Sequence, residues 1–102
     1  MNMPPVRKVE ICGFVFKIVL SPDISDEELG RCETTRQIIY LNQDQGNDSM
    51  RDCLLHEICH AIAYLTGLND DSSEEAFVSR LTTGIRATMI ANPILADWIF
   101  AR

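Results

Sequence analysis

The chain has two histidines, His56 and His60, set in the run His56-Glu57-Ile58-Cys59-His60. On an α-helix a four-residue spacing puts both imidazoles on one face, about a turn apart, where they can reach a common ion. Zn²⁺ takes neutral imidazole nitrogens at about 2.0–2.1 Å, so this spacing supplies two ligands without straining the backbone. Glu57 is offset around the helix and misses the ion. It can instead reach a water activated by the metal, whose pKa falls toward ~7, and act on it as general base. His-Glu-x-x-His on a helix is therefore the pattern of metal-assisted hydrolysis. The bland alternative is a pair of imidazoles resting against surface carboxylates on a helix flank. Both histidines of the chain fall inside the motif, which favours the metal.

A catalytic zinc takes three protein ligands and keeps one position open. With no further histidine, the third must be a carboxylate or a thiolate. Ala63 and Thr66 stand where a three-histidine extension of the motif needs Gly and His. The candidates lie downstream in Ser72-Ser73-Glu74-Glu75-Ala76. Glu74 is in helical phase with Val78, Leu81 and Ile85, which aims it inward. Glu75, three residues after Ser72, could instead be the return half of a capping box. Residue spacing leaves both open. Cys53 and Cys59 flank the motif and read as small buried residues before they read as redox sensors. Tyr64, four after His60, reads as packing with a wet hydroxyl.

The elements that must position these residues are legible in outline. Asn47, Asp48 or Ser49 can cap the motif helix, and Ser49 with Asp52 resembles a capping box. Leu54, Ile58, Ala61 and Leu65 make its apolar face. Gly67 is placed to stop it in a left-handed conformation, with Leu68 folding back. A second helix opens at Ser72 or Ser73 and runs through Phe77, Leu81 and Ile85 to about Ala91. Asn92-Pro93 ends it, and a short amphipathic helix buries Leu95, Trp98 and Ile99, with Trp98 and Phe100 as core anchors. Upstream, residues 9–20 are rich in Val, Ile and Phe and suit a strand, or a hairpin turning near Cys12-Gly13. Asp26-Glu27-Glu28 reads as a short polar helix or turn ending at Gly30. Residues 37–41 are a further strand.

This pattern gives an α+β fold: a small antiparallel or mixed sheet on the motif helix, then a long helix and a short C-terminal one. The 102 residues suit one domain, with residues 1–5 as a loose leader because Pro4-Pro5 resists helix and sheet. Fifteen acidic against nine basic side chains give a net charge of −6. An acidic surface repels phosphate, so nucleic acid and anionic membranes are poor partners. No apolar run is long enough to span a bilayer. The four cysteines, without a secretory signal, suit free thiols in a reducing cytoplasm.

The arrangement Leu54-Leu55-His56-Glu57-Ile58-Cys59-His60-Ala61, then Glu74-Glu75-Ala76, then Asn92-Pro93, resembles small phage- and prophage-encoded zincin-like metallopeptidases of the ImmA/IrrE type. The resemblance covers about residues 37–100 and is strongest over 54–61. It implies a gluzincin-like site in which a Glu followed by Ala completes the zinc sphere, which falls on Glu75. It also implies a sheet whose edge strand aligns an extended peptide, with residues 37–41 as that edge. Phe77 departs from the Asn often found after the Glu-Ala pair, and the helix-turn-helix appendage of many relatives has no counterpart. The expected function is a zinc-dependent peptidase: His56, His60 and Glu75 hold the metal and Glu57 activates water against a peptide or protein substrate. The alternative is a zinc-binding protein of the same fold acting as a non-enzymatic binding or regulatory module.

Overall fold

A computed structural model describes residues 3–24, 28–68 and 73–101, the Glu74 side chain excepted. Among them, four strands and three helices form an α+β domain in the order β1 (Lys8–Ile11), β2 (Phe14–Ser21), β3 (Gly30–Glu33), β4 (Ile38–Asn42), α1 (Asn47–Leu65), α2 (Glu74–Ala91) and α3 (Pro93–Ile99).

The sheet is mixed, in the spatial order β1-β2-β4-β3. Strands β1 and β2 form the expected hairpin. Cys12 and Gly13 fill its two-residue turn with φ of 50° and 85°, both in the left-handed region that such turns require. Strand β4 runs parallel to β2 and antiparallel to β3. One face of the sheet carries Val9, Ile11, Phe16, Ile18, Ile39 and Leu41, all buried. The apolar face of α1 meets it through Met50, Leu54, Ile58, Ala61 and Ile62, and Leu95 and Ile99 of α3 close the core. Alternation with period two on the strands and near four on α1 is what lets these sets meet.

Two sequence expectations about the sheet are corrected. The strand expected over 37–41 forms over Ile38–Asn42, Gln37 belonging to the turn before it, but it lies inside the sheet between β2 and β3. The edge is β3. Gly30, expected to end a polar helix or turn, opens this strand instead; of that segment, Asp26 and Glu27 lie outside the described residues. A four-residue strand of Gly-Arg-Cys-Glu has no run of β-formers to announce it, and its pairing with β4 makes it a strand.

Helix boundaries agree better than helix caps do. Gly46 precedes α1 without a side-chain cap. Ser49 Oγ donates to Gln45 Oε1 at 2.7 Å, so the Ser49–Asp52 capping box does not form. At the other end the Gly67 amide bonds the Tyr64 carbonyl, and the Leu68 amide the Ala63 carbonyl. With φ of 72° at Gly67, this is the expected left-handed stop. Ser73 caps α2, its Oγ accepting from the Ala76 amide at 3.1 Å. Close contact of α1 with α2 depends on Gly84, where a methyl group would collide with Ile62. Phe100 is exposed, not a core anchor, and Pro4 is fully buried, so the packed chain begins within the expected leader. No helix among the described residues is long and apolar enough to cross a membrane.

Candidate metal centre

The histidine pair sits in the middle of α1, on exposed positions beside the buried apolar stripe. His56 Nε2 and His60 Nε2 lie 3.1 Å apart. Their rings stand edge to face, with centroids 4.7 Å apart and planes at 79°. Two imidazoles that turn the same nitrogen toward one point have the disposition of ligands. An ion at about 2.0–2.1 Å from both nitrogens would see them at roughly 100°, near the tetrahedral angle. The pair therefore fits zinc.

Glu57 occupies the adjacent position, only 6% exposed. Burial pushes its carboxyl above the usual range, opposed by His60 and His56 and reinforced by Glu28. The wall against it is Gly30 of β3. A methyl group there would collide with Cys53 Sγ and reach within 3.3 Å of Glu57 Oε2. Glycine thus lets the edge strand close directly over the Glu57 carboxyl, a role no local sequence signal announces.

Between β3 and α1 runs a cleft of about 610 Å³. Its α1 wall is a stripe at helical spacing that includes Asp52, Cys53, His56, Glu57, His60 and Tyr64. Tyr64, expected to pack, is 56% exposed and faces this cleft. The β3 wall is Leu29 to Cys32. Gly30 and Cys32 stand opposite Leu41 and Ile39, so they share the helix-facing side of the sheet. The Leu29 carbonyl accepts from the Asn42 amide. Antiparallel alternation then turns the backbone groups of Gly30 and Cys32 toward the free edge, where the Gly30 amide is taken by the Glu28 carbonyl at 2.6 Å.

Buried amides brace the closed end of the cleft. Gln45 Nε2 donates to the carbonyls of Leu29 and Asn42, both at 3.0 Å. Asn42 Nδ2 donates to the Ile24 carbonyl at 3.0 Å. These bonds fix the approach to β3 against the start of α1. Cys53 and Cys32 line the cleft as protonated thiols, each pushed up to about 11 by burial first and by Glu57 second. All four cysteines are free.

On its other flank the histidine pair borders an apolar hollow of about 260 Å³, closed by Ala63, Phe77 and Leu81. This sets the phase of α2. Glu75 is exposed, and at 100° per residue it stands roughly 160° around the helix from Phe77. Position 74 falls three residues before Phe77 and seven before Leu81; its side chain lies outside the described residues. Among the described residues no three His, Cys, Asp or Glu side chains gather into a group that could hold an ion. The structure thus brings together His56, Glu57 and His60, and does not bring Glu75 to them.

No family model, no curated protein and no solved structure matches this chain.

Proposed function

We propose that this protein is a zinc-dependent peptidase. The observation that carries the reading is the convergence of His56 Nε2 and His60 Nε2 to 3.1 Å beside the buried carboxyl of Glu57. His56 and His60 would hold zinc, with a third ligand from the first turn of α2. The resemblance to phage-type gluzincins implies Glu75, and the helical phase set by Phe77 and Leu81 favours position 74. Bound there, zinc supplies a Lewis acid for the peptide carbonyl and lowers the pKa of water.

The remaining work falls to the chain's own groups. Glu57 takes a proton from the attacking water on its carboxylate and returns it to the departing amine. An extended peptide would add to β3, pairing its backbone with Cys32 and with the Gly30 carbonyl, the Gly30 amide being held by the Glu28 carbonyl; this pairing holds the scissile bond beside Glu57.

Zinc content and peptide cleavage, measured together on wild type and Glu57→Gln, test this. Wild type is expected to bind one zinc and to cut. Glu57→Gln should keep the zinc and lose about 10²–10⁴-fold in rate. Equal cutting by the variant would remove Glu57 as the base. Zinc binding without cleavage of any peptide by wild type would favour a regulatory binding module.

A further inference from the structure

Among the described residues, the cleft carries one charge that neither the chemistry proposed above nor any ion pair absorbs. Asp52 lies on α1 four residues before His56, exposed and lining the cleft. The neighbouring cation does not neutralise it: Arg51 packs over the Trp98 ring at 5.4 Å and reaches Asp48 at 3.4 Å. Across the cleft, Arg31 is bound by Glu28 through two bonds of 2.9 Å, so that pair cancels itself. What remains at this end is an open carboxylate, on a chain whose net charge of −6 already draws cations.

Its distance from the reacting centre also matters. Four residues along a helix advance roughly 6 Å, and an extended peptide advances about 3.3 Å per residue. A strand laid along the cleft parallel to α1 therefore spans the interval from the histidine pair to Asp52 in two residues. Strand side chains at that spacing point to the same side. When one residue faces the histidines, its second neighbour faces Asp52.

We propose that Asp52 is a specificity-determining residue that takes a Lys or Arg side chain of the peptide, two residues from the one held at His56 and His60. This rests on the peptidase reading and names its substrate class, a cationic peptide.

A randomised peptide library gives two separable readouts: the sequences cleaved by the zinc-loaded protein, and those retained on immobilised Glu57→Gln protein. Lys and Arg should be enriched in both, at one position in the cleaved set two residues from the histidine-facing residue. Asp52→Lys should cut the enrichment about five- to tenfold, by exchanging attraction for repulsion at a solvent-exposed pair. Asp97→Lys, an equal change of charge on α3 outside the cleft lining, should leave it in place. Enrichment that is absent, survives Asp52→Lys, or falls equally with Asp97→Lys overturns the inference, while cleavage would still stand. Retention of cationic peptides that depends on Asp52, without cleavage by wild type, supports the inference and sinks the peptidase reading instead.

Discussion

Gly30 of the edge strand touches Cys53 of the motif helix so closely that the strand has no room for a side chain there. Gly30→Ala is expected to push β3 off α1 or displace Cys53, at a cost of about 1–3 kcal/mol. Thermal denaturation of Gly30→Ala, Cys53→Ala and the double variant measures this. Because removing Sγ frees the space the methyl needs, the two effects should be less than additive. Additive losses would mean that Gly30 is needed for some other reason.

The histidine pair predicts a zinc-dependent rise in stability. At free zinc one hundred times its dissociation constant the gain is about 2.7 kcal/mol, on the order of ten degrees in a domain of this size. His60→Ala should abolish the gain, and a chelator should reverse it in wild type. Glu75→Gln and Glu74→Gln then locate the third ligand. The phase of α2 predicts that Glu74→Gln weakens zinc binding by tenfold or more while Glu75→Gln changes it little. The opposite result would show that the first turn of α2 departs from the phase of Phe77 and Leu81.

Cys32 and Cys53, both held near 11 against an ordinary 9.0, predict slow thiol chemistry. At pH 8 roughly one part in a thousand would be thiolate, about a hundredfold less than in the unfolded chain. Native protein should therefore react with an aromatic disulfide reagent far more slowly at these two sites than denatured protein does. The same shift acts on stability. A pKa raised by folding contributes stability that is complete below the unfolded value and lost as pH rises through the folded one. Denaturation midpoints should fall as pH climbs from about 9 through 11, and Cys32→Ala should flatten that fall. An unchanged slope would mean that Cys32 titrates normally.

How much of this could be read from the residues differs by element. Helix α1 was legible because three independent signals agree on it: the apolar stripe of Leu54, Ile58 and Ala61, the histidine spacing, and the Gly67 stop. The hairpin was legible through Cys12-Gly13. Strand β3 was not, since a strand made by pairing with β4 carries no periodicity of its own in four residues. That single omission moved the expected edge from β3 to β4, because the outermost strand cannot be named while one is missing. Asp52 is illegible as a cleft residue for the same reason, since its significance depends on the β3 wall it faces. The capping box of Ser49 failed because Gln45, a tertiary brace, took the hydroxyl first.

Asn92 offers a final test, on the opposite edge of the sheet. Its Oδ1 accepts from the Glu10 amide at 3.0 Å, and its Nδ2 donates to the carbonyls of Glu10 and Thr88, both at 2.8 Å. One side chain thus pairs with the outer edge of β1 as a strand would, and ties it to the junction of α2 and α3. Pro93, first in α3, fixes the bend that brings the amide there. Asn92→Ala should cost about 1–2 kcal/mol, since these bonds are partly open to water and their backbone partners can be resolvated. Asn92→Asp should lose a similar amount at neutral pH, because a carboxylate keeps the acceptor for the Glu10 amide but faces two carbonyls it cannot donate to. Lowering the pH through the carboxyl range should recover part of the loss in Asn92→Asp and none in Asn92→Ala. Zinc affinity should be unchanged in both, because β1 lies at the far edge of the sheet from the cleft. A loss of affinity would mean that the α2–α3 junction, and with it the first turn of α2, is held in place from β1.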